Sequence, residues 1–436
     1  MNPVANRHDD FCSAQLHGAV VEGSIERTLA VLATGSVDID QVNAEGLTPL
    51  MMASMMGYSH IVKTLLEKGA NVSSVTNPGI TALHIGCAQE GPVAVVELLI
   101  GAGADVEAKS EGWTPLHGAA EKGSREAVRA LVKAGANPDR RTPTGVTPLH
   151  IAARSGRLDT LRELLRLKAN PLLEFEPPPS SVGCGSVPLD IAAQNGHSDI
   201  VRKLVQQLGI EGCDAKNGGE PALHVAASDQ HVDIMAILTK AGVVDTTGLA
   251  LLGAAGHGRE VSIKFLLRQR HKESKGGVED AYINARNTDG YTPLVFSIHS
   301  CFSQAPRIAR LLADAGADLT SAVQVINSMG ELIFEGTPLA FTTSRLREKI
   351  ANGQPATEEH LHTLEAIRHL LLRVEAVHAV SWLWPSDAPF IGHAAGSSRG
   401  PVTNSPSLRV MLPILKRRTK RRGVLAATLL RYSVKA

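Results

Sequence analysis

In three closely related phrases of this chain a histidine stands three residues after a threonine: Thr81 and His84, Thr114 and His117, Thr147 and His150. A fourth, His224, closes the related stretch EPALH from Glu220. Imidazoles can serve as bases or as metal ligands, so these are the first candidates for chemistry. Their spacing argues against it. Thr81, Thr114 and Thr147 are 33 residues apart and sit in near-identical phrases, GITALHIGCAQEG, WTPLHGAAEKG and GVTPLHIAARSG. Equivalent residues of stacked units lie a unit apart, and ligands to one ion must all come within about 2 Å of it. The histidines are therefore expected to be scaffold.

Other motifs lead the same way. Glu359 and His362 form an E-x-x-H that places both on one helical face, a metal half-site in some bundles, but no H-E-x-x-H accompanies it. An exposed polar face accounts for it better. Phosphate-loop and kinase signatures are missing, and the glycines of GAGAD from Gly101 belong to repeat turns. Cys12, Cys87, Cys184, Cys213 and Cys301 are scattered without C-x-x-C spacing, which fits reduced thiols better than a disulfide framework or zinc site. The expectation is a chain without catalytic residues, metal or cofactor, and hence not an enzyme.

Stepping outward from the histidines, each phrase has a second half: IVKTLLEKGANV from Ile61, VVELLIGAGADV from Val95 and AVRALVKAGANP from Ala127. A fixed period of this size marks a stacked repeat architecture. The register extends back to LHGAVVEG at Leu16 and forward through SVPLDIAAQNGH, EPALHVAASDQH, LLGAAGHGRE, YTPLVFSIH and GTPLAFTTS, giving about ten units between residues 14 and 376. The two half-motifs together resemble the ankyrin repeat. That resemblance implies an all-α repeat solenoid of helix-turn-helix units, each with a β-hairpin, and a Thr-x-x-His hydrogen-bond clamp reaching the neighbouring hairpin. The residue types agree: threonine before proline suits a helix N-cap, and Gly123 suits a turn with positive φ. Leu116, Ala119, Ala120, Ala127, Val128, Leu131 and Val132 follow helical spacing on apolar faces.

Composition fits a thin-layered stack, with 43% hydrophobic but only 3% aromatic residues. Residues 388–436 carry ten Lys or Arg and no Asp or Glu, leaving 34 basic against 43 acidic groups before them. An acidic body with few aromatics disfavours specific nucleic-acid binding. MNPVANRHDDFC lacks an apolar h-region, and no stretch is long enough to span a membrane, so a cytoplasmic or nuclear protein is expected. Residues 1–13 read as a polar tail and 377–436 as a flexible linker with a disordered basic tail. Insertions fall near 172–186, 268–282 and 346–360. Lys168 stands where the family usually has a helix-ending glycine, which predicts a strained turn.

The compact run Lys416, Arg417, Arg418, Lys420, Arg421 and Arg422 resembles a nuclear-localisation signal that an importin could read, or else is a solvated basic tail. GVLAATLLRYSVKA after it could form a short amphipathic helix. Function is expected to be binding. The resemblance implies a concave surface of hairpin tips and first helices, here Asn77, Pro78, Ile80 and Gln89, then Ser110, Glu111, Trp113, Glu121 and Lys122, then Thr144, Val146, Arg154 and Ser155. Trp113 reads either as a partner anchor or as packing against its neighbouring hairpin. The chain is thus expected to be a monomeric adaptor for one or more proteins. The alternative is a substrate-receptor or inhibitory subunit acting through an enzyme partner such as a ubiquitin ligase.

Overall fold

A computed structural model describes residues 15–35, 37–89, 93–175, 186–213, 222–273, 280–300, 303–327, 330–351 and 363–372. The 1–13 tail, most of the 172–186 insertion, Glu359, His362, Cys12, Cys184, Cys301, residues 377–436 and with them Lys416–Arg422 lie outside these.

Helices come in pairs that repeat the sequence period. The first two pairs are α1 (15–21) with α2 (Ile25–Ala33), and α3 (Pro49–Met55) with α4 (Ser59–Glu67). The next three are α5 (Ala82–Cys87) with α6 (Val93–Gly101), α7 (Pro115–Lys122) with α8 (Arg125–Lys133), and α9 (Pro148–Arg154) with α10 (Leu158–Arg166). There follow α11 (Pro188–Gln194) with α12 (Ser198–Cys213), α13 (Ala222–Ser228) with α14 (Val232–Lys240), and α15 (Leu249–Gly256) with α16 (Glu260–Glu273). After a single turn, α17 (Asp280–Ile283), come α18 (Pro293–Ser300) with α19 (Ala305–Asp314). Last are α20 (Pro338–Ala351) and α21 (363–372), so ten pairs can be followed among the described residues. First helices pack on first helices (α3, α5, α7, α9) and second on second (α4, α6, α8, α10).

Each unit is built from the same few choices. Thr48 caps α3 by accepting from Met51 N, and Thr81, Thr114 and Thr147 do the same within reciprocal boxes closed by the histidine three residues on. The leucine after the proline position is fully or almost fully buried in unit after unit: Leu50, Leu83, Leu116, Leu149, Leu189 and Leu223. Small residues such as Ala119–Ala120 and Ala152–Ala153 are wholly buried and let adjacent helices approach. One core runs from Val20 to Leu371. Lys168 does adopt the left-handed conformation that its glycine-like position demands (φ 71), at a cost of about 1 kcal/mol.

The hairpins, called fingers below, are mostly turns closed by one or two hydrogen bonds. Val75 with Thr81, Ser110 with Trp113 and Phe175 with Ser186 form isolated bridges, and among the described residues only Val323–Ile326 (β1) and Leu332–Gly336 (β2) make an antiparallel ladder, with a register shift between Val325 and Ile326 that leaves Ile333 unpaired.

Three sets of hydrogen bonds join one unit to the next. His17, His84, His117 and His150 reach from the first helices to carbonyl oxygens of the following finger, at Leu47, Trp113, Val146 and Ser186 (3.1–3.3 Å). Residues opening the second helices reach back to the end of the preceding first helix: Arg157 to Glu121 O, His197 to Arg154 O, His231 to Gln194 O and Arg259 to Ser228 O (2.8–3.1 Å). Fingers are tied to fingers by side chains that accept from the next finger's backbone: Asp40 from Asn71 N, Glu107 from Asn137 N, Asp139 from Asn170 N and Asn284 from Asp318 N (2.7–2.9 Å). A fourth joint is ionic. The buried Glu163 carboxylate of α10 is held by Arg129 (2.8 Å), Arg125 (3.2 Å) and Arg166 (2.6 Å), which keep it ionised far below the usual carboxylate range.

Burial lowers the pKa of His117 and His150 to about 4, more strongly than their carbonyl partners raise it. A histidine held neutral in the fold but free to protonate when unfolded stabilises fully above its unfolded pKa and ceases to do so as pH falls. The array should therefore hold constant stability above about pH 6.5 and lose on the order of 3 kcal/mol per buried histidine between there and about pH 4. Chemical denaturation across that range checks this. In the double variant His117→Gln, His150→Gln most of the slope above pH 4 should vanish; an unchanged slope would assign acid sensitivity elsewhere.

Candidate functional site

The clamp that tames the histidines also builds the exposed face. In each clamp the threonine Oγ1 and backbone N meet the histidine Nδ1 (2.8 and 3.1 Å for Thr114 with His117), and Nε2 meets the next finger's carbonyl. Both ring nitrogens are thus engaged, and His117 and His150 are buried. Among the described residues no group of three or more His, Cys, Asp or Glu could hold a metal ion. Buried Cys87 has its thiol pushed up by desolvation, away from reactive thiolate.

Residues carrying the clamp are taken up by it, so the side chains that meet solvent are those between them. At 33-residue steps Leu47, Ile80, Trp113 and Val146 occupy the last finger position before the N-cap, each half-buried, and Leu47, Trp113 and Val146 pack against the core. Glu45, Pro78, Glu111 and Thr144 hold the fingertips and are exposed. Where the first helices end, Met56, Gln89, Lys122 and Ser155 form one row and Met55, Ala88, Glu121 and Arg154 another. Lys122, Glu121 and Arg154 are exposed, and Gln89 and Ser155 half-exposed. Asn77 is exposed beside Pro78.

Besides Ile80 and Val146, two more of the expected contact residues differ from a freely exposed surface. Ser110 is buried: its Oγ donates to Pro78 O of the preceding finger (3.3 Å) and its backbone pairs both ways with Trp113. Trp113 is half-buried, tilted over the His117 ring with centroids 5.6 Å apart, so packing claims part of its surface. The unit before contributes residues the sequence reading passed over. Met56 is 42% exposed, and Leu47, Glu45 and Met55 stand in the same rows. The signal was available in the same 33-residue register one step earlier.

Finger four, the one bearing Trp113, has its own shape. Elsewhere five-residue tips are closed by bonds such as Thr76 N to Ile80 O and Thr142 N to Val146 O, but here Ser110 pairs with Trp113 across only Glu111 and Gly112. Both central residues have positive φ, 50° and 84°. Gly112 is also pressed against Pro143 of the next finger, where a Cβ would collide. Glu111 therefore pays in strain for a turn that favours Asn or Gly.

The family model described as "Ankyrin repeats (3 copies)" matches residues 16–110, 85–175 and 172–247. Mouse (Mus musculus) "B-cell lymphoma 3 protein homolog" is 34% identical over 143 residues, 31% of this chain and 32% of that protein. Chicken (Gallus gallus) "Nuclear factor NF-kappa-B p105 subunit" is 33% identical over 138 residues, 30% of this chain and 14% of that protein. The chain thus spans about a third or less of the length of the curated relatives it matches. The crystal structure of the human ASB11 ankyrin repeat domain aligns with 51% of this chain and 96% of its own at 28% identity, with a TM-score of 0.45.

Replacing Glu111 by Asn, which visits the left-handed region at lower cost, should stabilise the array by about 0.5–1 kcal/mol. Thermal or urea unfolding of Glu111→Asn beside wild type tests this, and a loss of stability would mean that the Glu111 side chain supports the finger. Clamp geometry, paired helices, fingers and family match converge: this chain belongs to the ankyrin-repeat family.

Proposed function

We propose that this chain is a non-enzymatic adaptor whose partner is a protein lying along the face made by the fingers and the ends of the first helices of units two to five. The observation that carries this reading is the division of labour within each unit. Threonine, histidine and leucine are consumed by capping and stacking, while fingertip and helix-end residues are left with exposed side chains on a backbone fixed from both sides. Such a preorganised surface loses little freedom on binding. Ankyrin repeats bind proteins generally, and the relatives include B-cell lymphoma 3 protein and the nuclear factor NF-kappa-B p105 subunit. A nuclear setting is favoured by the printed name of the nuclear factor NF-kappa-B p105 subunit and by the basic run Lys416–Arg422.

A receptor or inhibitory subunit that delivers its partner to an enzyme is the second reading. The relative "E3 ubiquitin-protein ligase KEG" from Arabidopsis thaliana, 36% identical over 126 residues, favours it, although only 8% of that protein is matched.

Crosslinking in cells followed by mass spectrometry tests the proposal. Lys122→Glu with Arg154→Glu reverses two exposed charges without touching the clamps, and should cut recovery of the specific partners by about tenfold or more. Neutralising Lys416–Arg422 to glutamine should change where the protein sits and leave those partners bound. Partners that survive the charge reversal but vanish on neutralising the basic run would move recognition away from the repeats.

A further inference from the structure

Finger ten departs from its predecessors. Its tip closes as others do, with Asn327 N donating to Glu331 O and Gly330 N to Asn327 O, the pattern seen at Asn43 and Asn287. In those fingers the helix N-cap follows at once, as in Leu47–Thr48 and Tyr291–Thr292. Here Leu332–Gly336 intervene before Thr337, and they form β2. The inner side of this longer finger is covered. Ile326 N donates to Asp289 O of finger nine (3.0 Å), Arg286 donates to Ala322 O (3.3 Å), and Gly290 lies so close to Gln324 O that no Cβ would fit. The outer side is β2, an edge strand on which Leu332 and Ile333 are 54% and 56% exposed. Exposed aliphatics on an open strand edge are an aggregation hazard that folded proteins cover.

We propose that the occupant of this edge is the chain's own continuation, residues 376–384, laid against β2 as the first arm of an eleventh finger. Those residues are outside the described ones, and the inference comes from the translation that relates unit to unit. The second helices α4, α8, α10 and α19 deliver the chain beside the preceding finger, as the ties from Asn71 to Asp40, Asn137 to Glu107, Asn170 to Asp139 and Asp318 to Asn284 record. α21 is the second helix of unit ten, seated in the core through Leu364, Ile367 and Leu371. The same step applied once more brings the residues after α21 to the outer side of finger ten, where β2 is open.

The sequence there suits the place. AVHAVSWLW, Ala376 to Trp384, has no Asp, Glu, Lys or Arg, is rich in β-branched and aromatic residues, and is stopped by Pro385. It also contains Trp382 and Trp384, two of the three tryptophans in the chain. Pairing supplies partners for the outward backbone groups of β2 and covers Leu332 and Ile333 with apolar side chains.

Hydrogen exchange by mass spectrometry on the full-length chain reads the edge directly. The peptide spanning Glu331–Thr337 should exchange slowly in wild type, and Val380→Pro with Trp382→Pro should speed its exchange about tenfold or more while α18 and α19 keep their protection. In the reciprocal arm, Ile333→Lys in a Trp113→Phe background should shift the emission of Trp382 and Trp384 to the red. Fast exchange of β2 in wild type, or protection unchanged by the proline pair, overturns the proposal. Protection that grows with protein concentration also overturns it, in favour of a second copy on the edge.

Discussion

A repeat array stands or falls on the joint between units, because no unit can bury its apolar face alone. In this chain the best-specified joint is the reach of a buried histidine from one first helix to the carbonyl of the following finger, fixed at its other nitrogen by threonine. The hydrogen bond contributes on the order of 1 kcal/mol by itself. Its larger effect is geometric, since one ring settles the N-cap, the helix start and the position of the next finger. Met51 takes the histidine place in unit two and Asp190 in unit six, where the carboxylate accepts from Val187 N instead. Those units rely on the other ties, which explains how the array tolerates gaps in its commonest clamp.

How far the sequence foretold this depends on whether a joint uses one residue type or several. The threonine–histidine clamp repeats letter for letter, so period and chemistry can be read together. The second set of ties uses Arg157, His197, His231 and Arg259 for one geometric task, and no single pattern announces it. Glu163 is less legible still. Its three arginines come from two helices, and only the fold shows that a carboxylate in an otherwise amphipathic helix is buried. Trp113 was ambiguous for a physical reason: a large ring at a finger base can bury one face on His117 and leave the other outward, and sequence does not apportion the two. Finger four's shorter tip shows in the sequence only as the glycine of Gly103 falling one place late relative to Gly69, a shift hidden by the constant threonine spacing.

The exposed rows are not uniform along the array, and that shapes what can bind. At unit two the row positions hold Leu47, Met55 and Met56; two units on, Glu121 and Lys122 stand in the helix-end rows, and Arg154 and Ser155 follow. A partner lying along this face, as proposed, would meet flexible apolar side chains at one end and charges of both signs at the other. Methionine adapts to many shapes, whereas charged groups penalise the wrong register through unpaired desolvation. Affinity would then come mainly from the apolar end and orientation from the charged one. Since the fingers between them are locked by histidine and backbone ties, the two ends keep a fixed separation, and a ligand must match both at once to bind well.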